Sequence, residues 1–240
     1  SQFGSALTGR LAGSYFIEST KTKIKMTCGT GFKSPSLYQL YAPSTIWGPI
    51  GNMSLKPEKS LGLDFGIEQS FLDDKFLFGA TYFLNSYRDL INYDFSKGYI
   101  NIGRAESKGT ELLIRVRPAD ALVFNLNYTQ TIAKDKETGD YLLRRPKDRL
   151  SAGFNYQFTK KINFNLSFLH TGKRHDMDYS TWPPAQVTLP AYNLVNAALS
   201  FTLFPNFQLS LRLDNIFNEK YEMIKGYGTS GFSAFAGLNL

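Results

Sequence analysis

The feature that most constrains this chain is a period-two alternation of apolar and polar side chains, held for about ten residues at a time and repeated in six segments. In residues 121–131 the apolar set is Leu122, Phe124, Leu126 and Tyr128, while Asn125, Asn127 and Thr129 occupy the alternate positions. In residues 150–158, Leu150, Ala152, Phe154, Tyr156 and Phe158 oppose Ser151, Gly153, Asn155 and Gln157. Successive side chains of a strand project to opposite faces, so both faces of each segment are specified, one apolar and one polar. Repeated strand after strand, this pattern predicts an all-β, antiparallel transmembrane β-barrel with lipid outside and a polar lumen within.

Bulk properties agree. Mean hydropathy is −0.24, and no run approaches the roughly 18 consecutive apolar residues of a membrane-spanning helix. A helical membrane protein is excluded; a barrel, which hides its hydrophobicity in alternation, is not. The 20 Phe and 14 Tyr suit aromatic girdles at two membrane interfaces. Cys28 is the single cysteine and permits no intrachain disulfide; its place in the alternation is the apolar face, as a small hydrophobe. The net charge of +7 invites a nucleic-acid reading. However, lysines such as Lys21, Lys23, Lys160 and Lys161 fall in turns and no basic helix exists to enter a groove. A solvated surface that touches anionic lipid headgroups is expected instead, with no nucleic-acid partner.

The alternation places about eleven strands, at residues 5–18, 22–32, 57–72, 75–90, 98–117, 121–133, 142–158, 161–171, 187–203, 207–221 and 231–240. Short connections (19–21, 73–74, 118–120, 159–160, 204–206) carry Pro, Asp, Asn and Thr turn chemistry. They alternate with long ones at 33–56, 91–97, 134–141, 172–186 and 222–230. Short turns on one rim and long loops on the other is the outer-membrane asymmetry. It turns the long loops outward and puts Leu240 on the periplasmic side. Strands of up to about twenty residues argue against a soluble β-sandwich, since globular strands average five or six. An odd strand count leaves open edges whose amides have no water in lipid. The chain is therefore expected either to close a barrel with a further N-terminal segment, the favoured reading, or to associate edge to edge with a second copy, and the opening Ser1-Gln2-Phe3-Gly4 reads as the interior of a longer polypeptide.

Several motifs carry a family resemblance. Gly29-Thr30-Gly31-Phe32-Lys33-Ser34-Pro35-Ser36-Leu37-Tyr38 and Gly51-Asn52-Met53-Ser54-Leu55-Lys56-Pro57-Glu58-Lys59-Ser60 resemble a strand-to-loop passage and the return into the barrel of TonB-dependent outer-membrane receptors. Tyr87-Arg88-Asp89-Leu90-Ile91, Asn101-Ile102-Gly103-Arg104-Ala105-Glu106-Ser107-Lys108-Gly109 and Asp214-Asn215-Ile216-Phe217-Asn218-Glu219-Lys220-Tyr221 also match. The resemblance runs in order along residues 1–240 and implies the C-terminal half of a 22-strand barrel, without plug or N-terminal strands. Half of twenty-two agrees with the count made from alternation.

Three stretches resemble the cobalamin branch of that family. The family's ligand-contacting arginine falls on Arg144 in Leu142-Leu143-Arg144-Arg145-Pro146-Lys147, and its tyrosines fall on Tyr179 and Tyr227. Tyrosine faces with a hydrogen-bonding tip suit a large amphipathic corrinoid, and arginine reaches amide or phosphate oxygens. Tyr41, Trp47, Tyr93 and Trp182 join the ligand-binding candidates as loop aromatics. The resemblance implies capture of cobalamin or another corrinoid, or of an iron chelate (ferric siderophore or haem), at the outer loops in the bacterial outer membrane. Import would be energised by TonB through the plug, with no covalent chemistry, cofactor or metal site.

Departures from the family pattern are the terminal Leu240 in place of Phe or Trp, and a longer loop at 44–50. Loops that hold calcium in some cobalamin receptors have no counterpart here, so calcium does not carry over. Two other classes remain: a barrel hydrolase using His170 or His175 with Asp176 or Asp178, and a passive porin. The run Gly29-Thr30-Gly31-Phe32-Lys33-Ser34 lacks the Gly-Lys-Ser/Thr order of a phosphate loop.

Overall fold

The computed structural model describes residues 3, 5–46, 48–94 and 96–239. Its strands are β1 (Arg10–Ile17), β2 (Thr22–Lys33), β3 (Glu58–Phe71), β4 (Phe76–Asp94), β5 (Gly98–Ala119), β6 (Leu122–Asp135), β7 (Asp148–Thr159), β8 (Ile162–Thr171), β9 (Arg174–Asp178), β10 (Ala185–Leu189), β11 (Tyr192–Phe204), β12 (Phe207–Asp214), β13 (Glu222–Ile224), β14 (Tyr227–Gly228) and β15 (Ser233–Asn239). One five-residue helix, α1 (Leu37–Tyr41), interrupts them. Eleven strands form one antiparallel sheet in the order β1-β2-β3-β4-β5-β6-β7-β8-β11-β12-β15, and β9/β10 and β13/β14 are small hairpins above it.

Register carries the alternation from strand to strand. Residues directly opposite in an antiparallel pair share a face. One such row runs Val116, Phe124, Phe154, Leu166, Ala197, Leu213 and Ala234, and the next runs Ile114, Leu126, Ala152, Phe168 and Val195. Phe124 and Phe154 lie 5.0 Å apart between ring centroids. These side chains do not enclose a compact interior: Phe124 is 42% exposed and Leu199 41%. An apolar face left open by protein matches a wall facing hydrocarbon. Cys28 lies on this face, opposite Leu11 and Leu63.

The alternate face is polar and bonded to itself. Asn155 donates to Asn163 (3.0 Å) and Asn165 (2.7 Å), Asn165 donates to Asn163 (2.7 Å), and Asn163 donates to Gln157 (2.8 Å). Farther along the sheet, Lys25 pairs with Glu68, and Arg115 donates to Asn125. Short turns close β1/β2, β3/β4, β5/β6, β7/β8 and β11/β12 at one rim, and the long connections leave from the other. The outer strands of the sheet, β1 and β15, each have one partner among the described residues.

Several expected boundaries shift for identifiable reasons. Residues 142–147 were expected to open a strand, but β7 begins at Asp148. Arg144 sits at φ 59 and Pro146 has no N–H to give a ladder. The expected loop at 91–97 is a hairpin instead: β4 continues to Asp94, whose carboxylate accepts the Ser96 and Lys97 amides and closes the turn. Tyr93 is thus a strand residue, not a loop aromatic. Residues 187–189 belong to the outer hairpin β9/β10, and Pro190 separates them from β11. The strand expected over 207–221 stops at Asp214, where Asn215 turns the chain at φ 50. The strand expected over 5–18 is ordered as β1 from Arg10, and the loop 33–56 holds α1, a helix that strand alternation does not reveal.

Replacing Leu199 with arginine in the full-length protein puts a charge into the apolar belt and is expected to destabilise it by about 2–4 kcal/mol. Arginine at the next residue, Ser200, faces the polar side and is expected to cost far less. Urea titration of the protein folded into lipid vesicles measures both.

Candidate functional site

The long loops rise from one rim, and two clusters of hydrogen bonds tie them together. The first is centred on β9, where alternation puts Arg174 and Asp176 on one side of a short strand. The Asp176 side chain is 0% exposed. Its Oδ1 accepts from Arg144 Nε at 2.8 Å and from the Met177 amide at 2.9 Å, and its Oδ2 accepts from the Lys225 amide at 2.8 Å. Arg144 also donates its backbone N–H to the His175 carbonyl at 2.7 Å. One carboxylate therefore joins the loop before β7, the β9 hairpin and the loop before β15.

Arg174, also buried, makes a second tie between the same loops. Its guanidinium donates to the carbonyls of Glu222, Met223 (3.4 Å) and Pro190 (3.3 Å). It also lies 5.3 Å from the Tyr192 ring, which stacks on Tyr221 at 4.2 Å. A buried cation is tolerable when carbonyl dipoles and an aromatic face replace its water. At the base of the last loop, Asn215 receives the Glu219 amide and donates to the carbonyls of Glu219 and Ser230, bracing the segment that carries Tyr227.

Burial pushes the Asp176 carboxyl up. The Lys225 amide, the Arg144 guanidinium and the Met177 amide act the other way and hold it below its ordinary value of 3.8. Asp178, at the end of β9, is also held low by the Ser180 hydroxyl and amide.

The second cluster straps the 34–57 loop onto the β4/β5 hairpin. Asn52 donates to the Tyr99 carbonyl at 2.9 Å, and the Tyr99 amide donates to Ile50. Asn101 exchanges hydrogen bonds with both backbone groups of Lys56, and Glu58 accepts the Ile91 amide at 2.8 Å. Gly98, at φ +73, allows the close approach, since a Cβ there would lie 2.5 Å from the Ile50 carbonyl oxygen. Ser36 and Gln39 form a capping box that starts α1. Tyr38, Tyr99 and Tyr93 form an edge-to-face ladder with centroids 6.3 and 5.2 Å apart.

Four of the expected ligand residues fall on the segments that the first cluster joins. Arg144 is one of its bonds, and its side chain keeps 41% exposure toward solvent. Tyr179 and Trp182 cap the β9/β10 hairpin, and Tyr227 opens β14 at 71% exposure. Tyr41 and Tyr93 belong to the second cluster, one ending α1 and the other in β4. Trp47 lies outside the described residues. Sequence reasoning passed over Arg174, Tyr192 and Tyr221, and took Asp176 only as a partner for a catalytic histidine. The Arg-x-Asp spacing of 174–176 was the available signal, because period two places both charges on one side. Of the histidines, His170 Nδ1 is 2.8 Å from Asn193 Oδ1, and His175 stacks on Tyr141 at 5.4 Å.

A sheet apolar on one face and polar on the other, with its long loops tied together at one rim, has the architecture of a transmembrane β-barrel wall. The TonB-dependent receptor-like β-barrel family model matches residues 1–216, and the chain belongs to that family, one of transport receptors. It is 30% identical over 230 residues to the vitamin B12 transporter BtuB of Vibrio cholerae, covering 94% of this chain and 36% of that protein. The chain thus spans about a third of the length of the curated relatives it matches. A mutant of the ferric enterobactin receptor PfeA from Pseudomonas aeruginosa superposes with a TM-score of 0.80 at 23% identity, over 99% of this chain and 40% of that one. The ferric-catecholate import receptor Fiu from E. coli gives 0.73 at 19% identity, over 96% and 34%. Both share the fold.

Asp176→Ala leaves the Met177 and Lys225 amides and the Arg144 guanidinium without their acceptor, a loss of about 1–3 kcal/mol to the loop cluster. Hydrogen exchange at the Arg144, Met177 and Lys225 amides is expected to quicken by on the order of tenfold or more while sheet amides stay protected. The depressed folded-state value sets the sign of the pH dependence: the carboxylate stabilises the cluster above pH 3.8, and that contribution is lost as pH falls through the lower folded value. Exchange measured in the same native protein as pH is lowered, corrected for intrinsic rates, tests this.

Proposed function

We propose that residues 1–240 are the C-terminal part of the barrel of a bacterial outer-membrane receptor that captures cobalamin or another corrinoid at its outer loops for TonB-energised import. The observation that carries the reading is the Asp176-centred cluster, because it turns three separate loops into one platform for Arg144, Tyr179, Trp182 and Tyr227. A corrinoid offers a broad apolar face fringed with amides. Tyrosine and tryptophan rings suit the face, and phenol tips and guanidinium N–H groups suit the fringe. Holding the loops beforehand lowers the ordering cost of binding. The similarity to a vitamin B12 transporter along nearly the whole chain supports the same choice.

The sheet's open margins support the architectural half of this reading. In hydrocarbon each unpaired backbone group costs several kcal/mol, so β1 and β15 require neighbours. Further strands of the same receptor supply them, and a plug in the lumen supplies the connection to TonB.

Isothermal titration of the full-length receptor is expected to show tight binding of cyanocobalamin and none of ferric siderophores. Tyr227→Ala and Tyr179→Ala are each expected to weaken binding by roughly fivefold to tenfold, the scale of one aromatic contact. Tight binding of a ferric siderophore with no response to cyanocobalamin overturns the ligand assignment. Steady ionic conductance in planar bilayers, without energised uptake, overturns the receptor reading.

A further inference from the structure

The lipid-facing side of β3 to β6 changes character at its loop-side end. Below, it is apolar on β3 and β4, where Phe65, Leu63 and Leu61 ascend β3 and Phe78, Ala80, Tyr82 and Leu84 ascend β4, while Thr110 and Gln130 on β5 and β6 share that face beside Tyr82. Lys108 then appears opposite Leu84 and Ile132, where that belt ends. Four residues higher along each strand, Lys59, Arg88 and Arg104 form one cross-strand row, Lys59 opposite Arg88 and Arg88 opposite Arg104, and all three are exposed. Like charges at directly opposed positions destabilise a sheet. Among the described residues none of these three has an ion-pair partner, whereas Glu106, between the two levels, already pairs with Lys108 at 3.2 Å and Lys136 at 3.7 Å. Of the other carboxylates near the row, Glu58 pairs with Lys33, Glu137 lies against Gly103, and Asp89, next to Arg88 in the chain, makes no ion pair among the described residues. Lys134, opposite Glu106, rests over the Tyr141 ring.

We infer that this patch is a docking site for the phosphate groups of a membrane lipid headgroup. A row of three uncompensated cations is relieved by a counter-charge, and its position selects which one. Lys108 stands at the boundary of the hydrocarbon, and the Lys59-Arg88-Arg104 row stands one strand pleat above Glu106, at the level of headgroups. An anion held there has its acyl chains against the Leu61, Leu63 and Phe65 wall, an anchor that free phosphate lacks. Two arginines favour phosphomonoesters, whose oxygens accept paired N–H donors from each guanidinium. The site depends on the membrane-spanning reading of the sheet and is independent of which nutrient the outer loops bind.

The test uses the full-length receptor inserted in nanodiscs of neutral lipid. Diphosphoryl lipid A, the same lipid after enzymatic removal of its phosphates, and inorganic phosphate are titrated in turn, with bound lipid counted by native mass spectrometry. The phosphorylated lipid is expected to bind and its dephosphorylated form to bind far more weakly. The triple variant Lys59→Ala, Arg88→Ala, Arg104→Ala is expected to lose on the order of a hundredfold in affinity, with unchanged heat-modifiable electrophoretic mobility as the check on folding. Glu106→Gln removes a competing charge and is expected to tighten binding severalfold. Equal binding of the two lipid forms, an unaffected folded triple variant, or displacement by inorganic phosphate at equal concentration overturns the lipid site. A receptor that inserts into no bilayer counts against the barrel reading instead.

Discussion

Pairing of backbone amides without water is the constraint on which the rest of this structure depends. A strand in hydrocarbon has no solvent to satisfy its N–H and C=O groups, so every strand needs a neighbour along its length. That requirement explains why eleven strands form one continuous ladder, and why five of the connections are turns too short to do anything but reverse the chain. It also frees the side chains from making a core. Phe124, Phe154 and Leu199 remain open because their solvent is lipid, and the amide-bearing face opposite them is open because its solvent is water.

A wall of this kind fixes position, and under the proposed function recognition falls to the loops. Long loops are costly to order, and here two devices share the task. The strap of Asn52, Asn101 and Glu58 uses polar side chains as substitutes for ladder hydrogen bonds, fastening a segment that has no strand of its own. The Asp176 and Arg174 ties instead bury charge, where each interaction is stronger because water is excluded. Aromatic side chains at Tyr179, Trp182 and Tyr227 then extend from a base whose polar groups are already satisfied.

Much of this was legible in the residue order, for a reason that also sets its limit. Period two is a local property, so strands, their faces and the side of Cys28 could be read directly, with most ends correct to within two residues and those expected at 5, 90, 142, 187 and 221 off by four to seven. Boundaries failed where alternation continued through a change of partner. Residues 187–189 and β11 both alternate, yet they belong to different sheets, and only Pro190 marks the break. Tyr93 was misplaced because turn chemistry at Asp94 and Ser96 shortens a loop that length alone suggests. At the site, Arg144 was identified but its bond to Asp176 was not, since 32 residues separate them and nothing local links them. Arg174 was missed: the Arg-x-Asp spacing places it on one side of the strand with Asp176, but its hydrogen-bond partners are carbonyls, which every residue possesses.

The amide network of Asn155, Asn163, Asn165 and Gln157 sets the character of its sector of the polar face. These side chains bond to one another without formal charge. On β2 to β5 the same face carries Lys25, paired with Glu68, and Arg115, bonded to Asn125. The polar face is thus divided across the sheet into a neutral amide sector and an ionic one, and added salt weakens the interactions of the second alone.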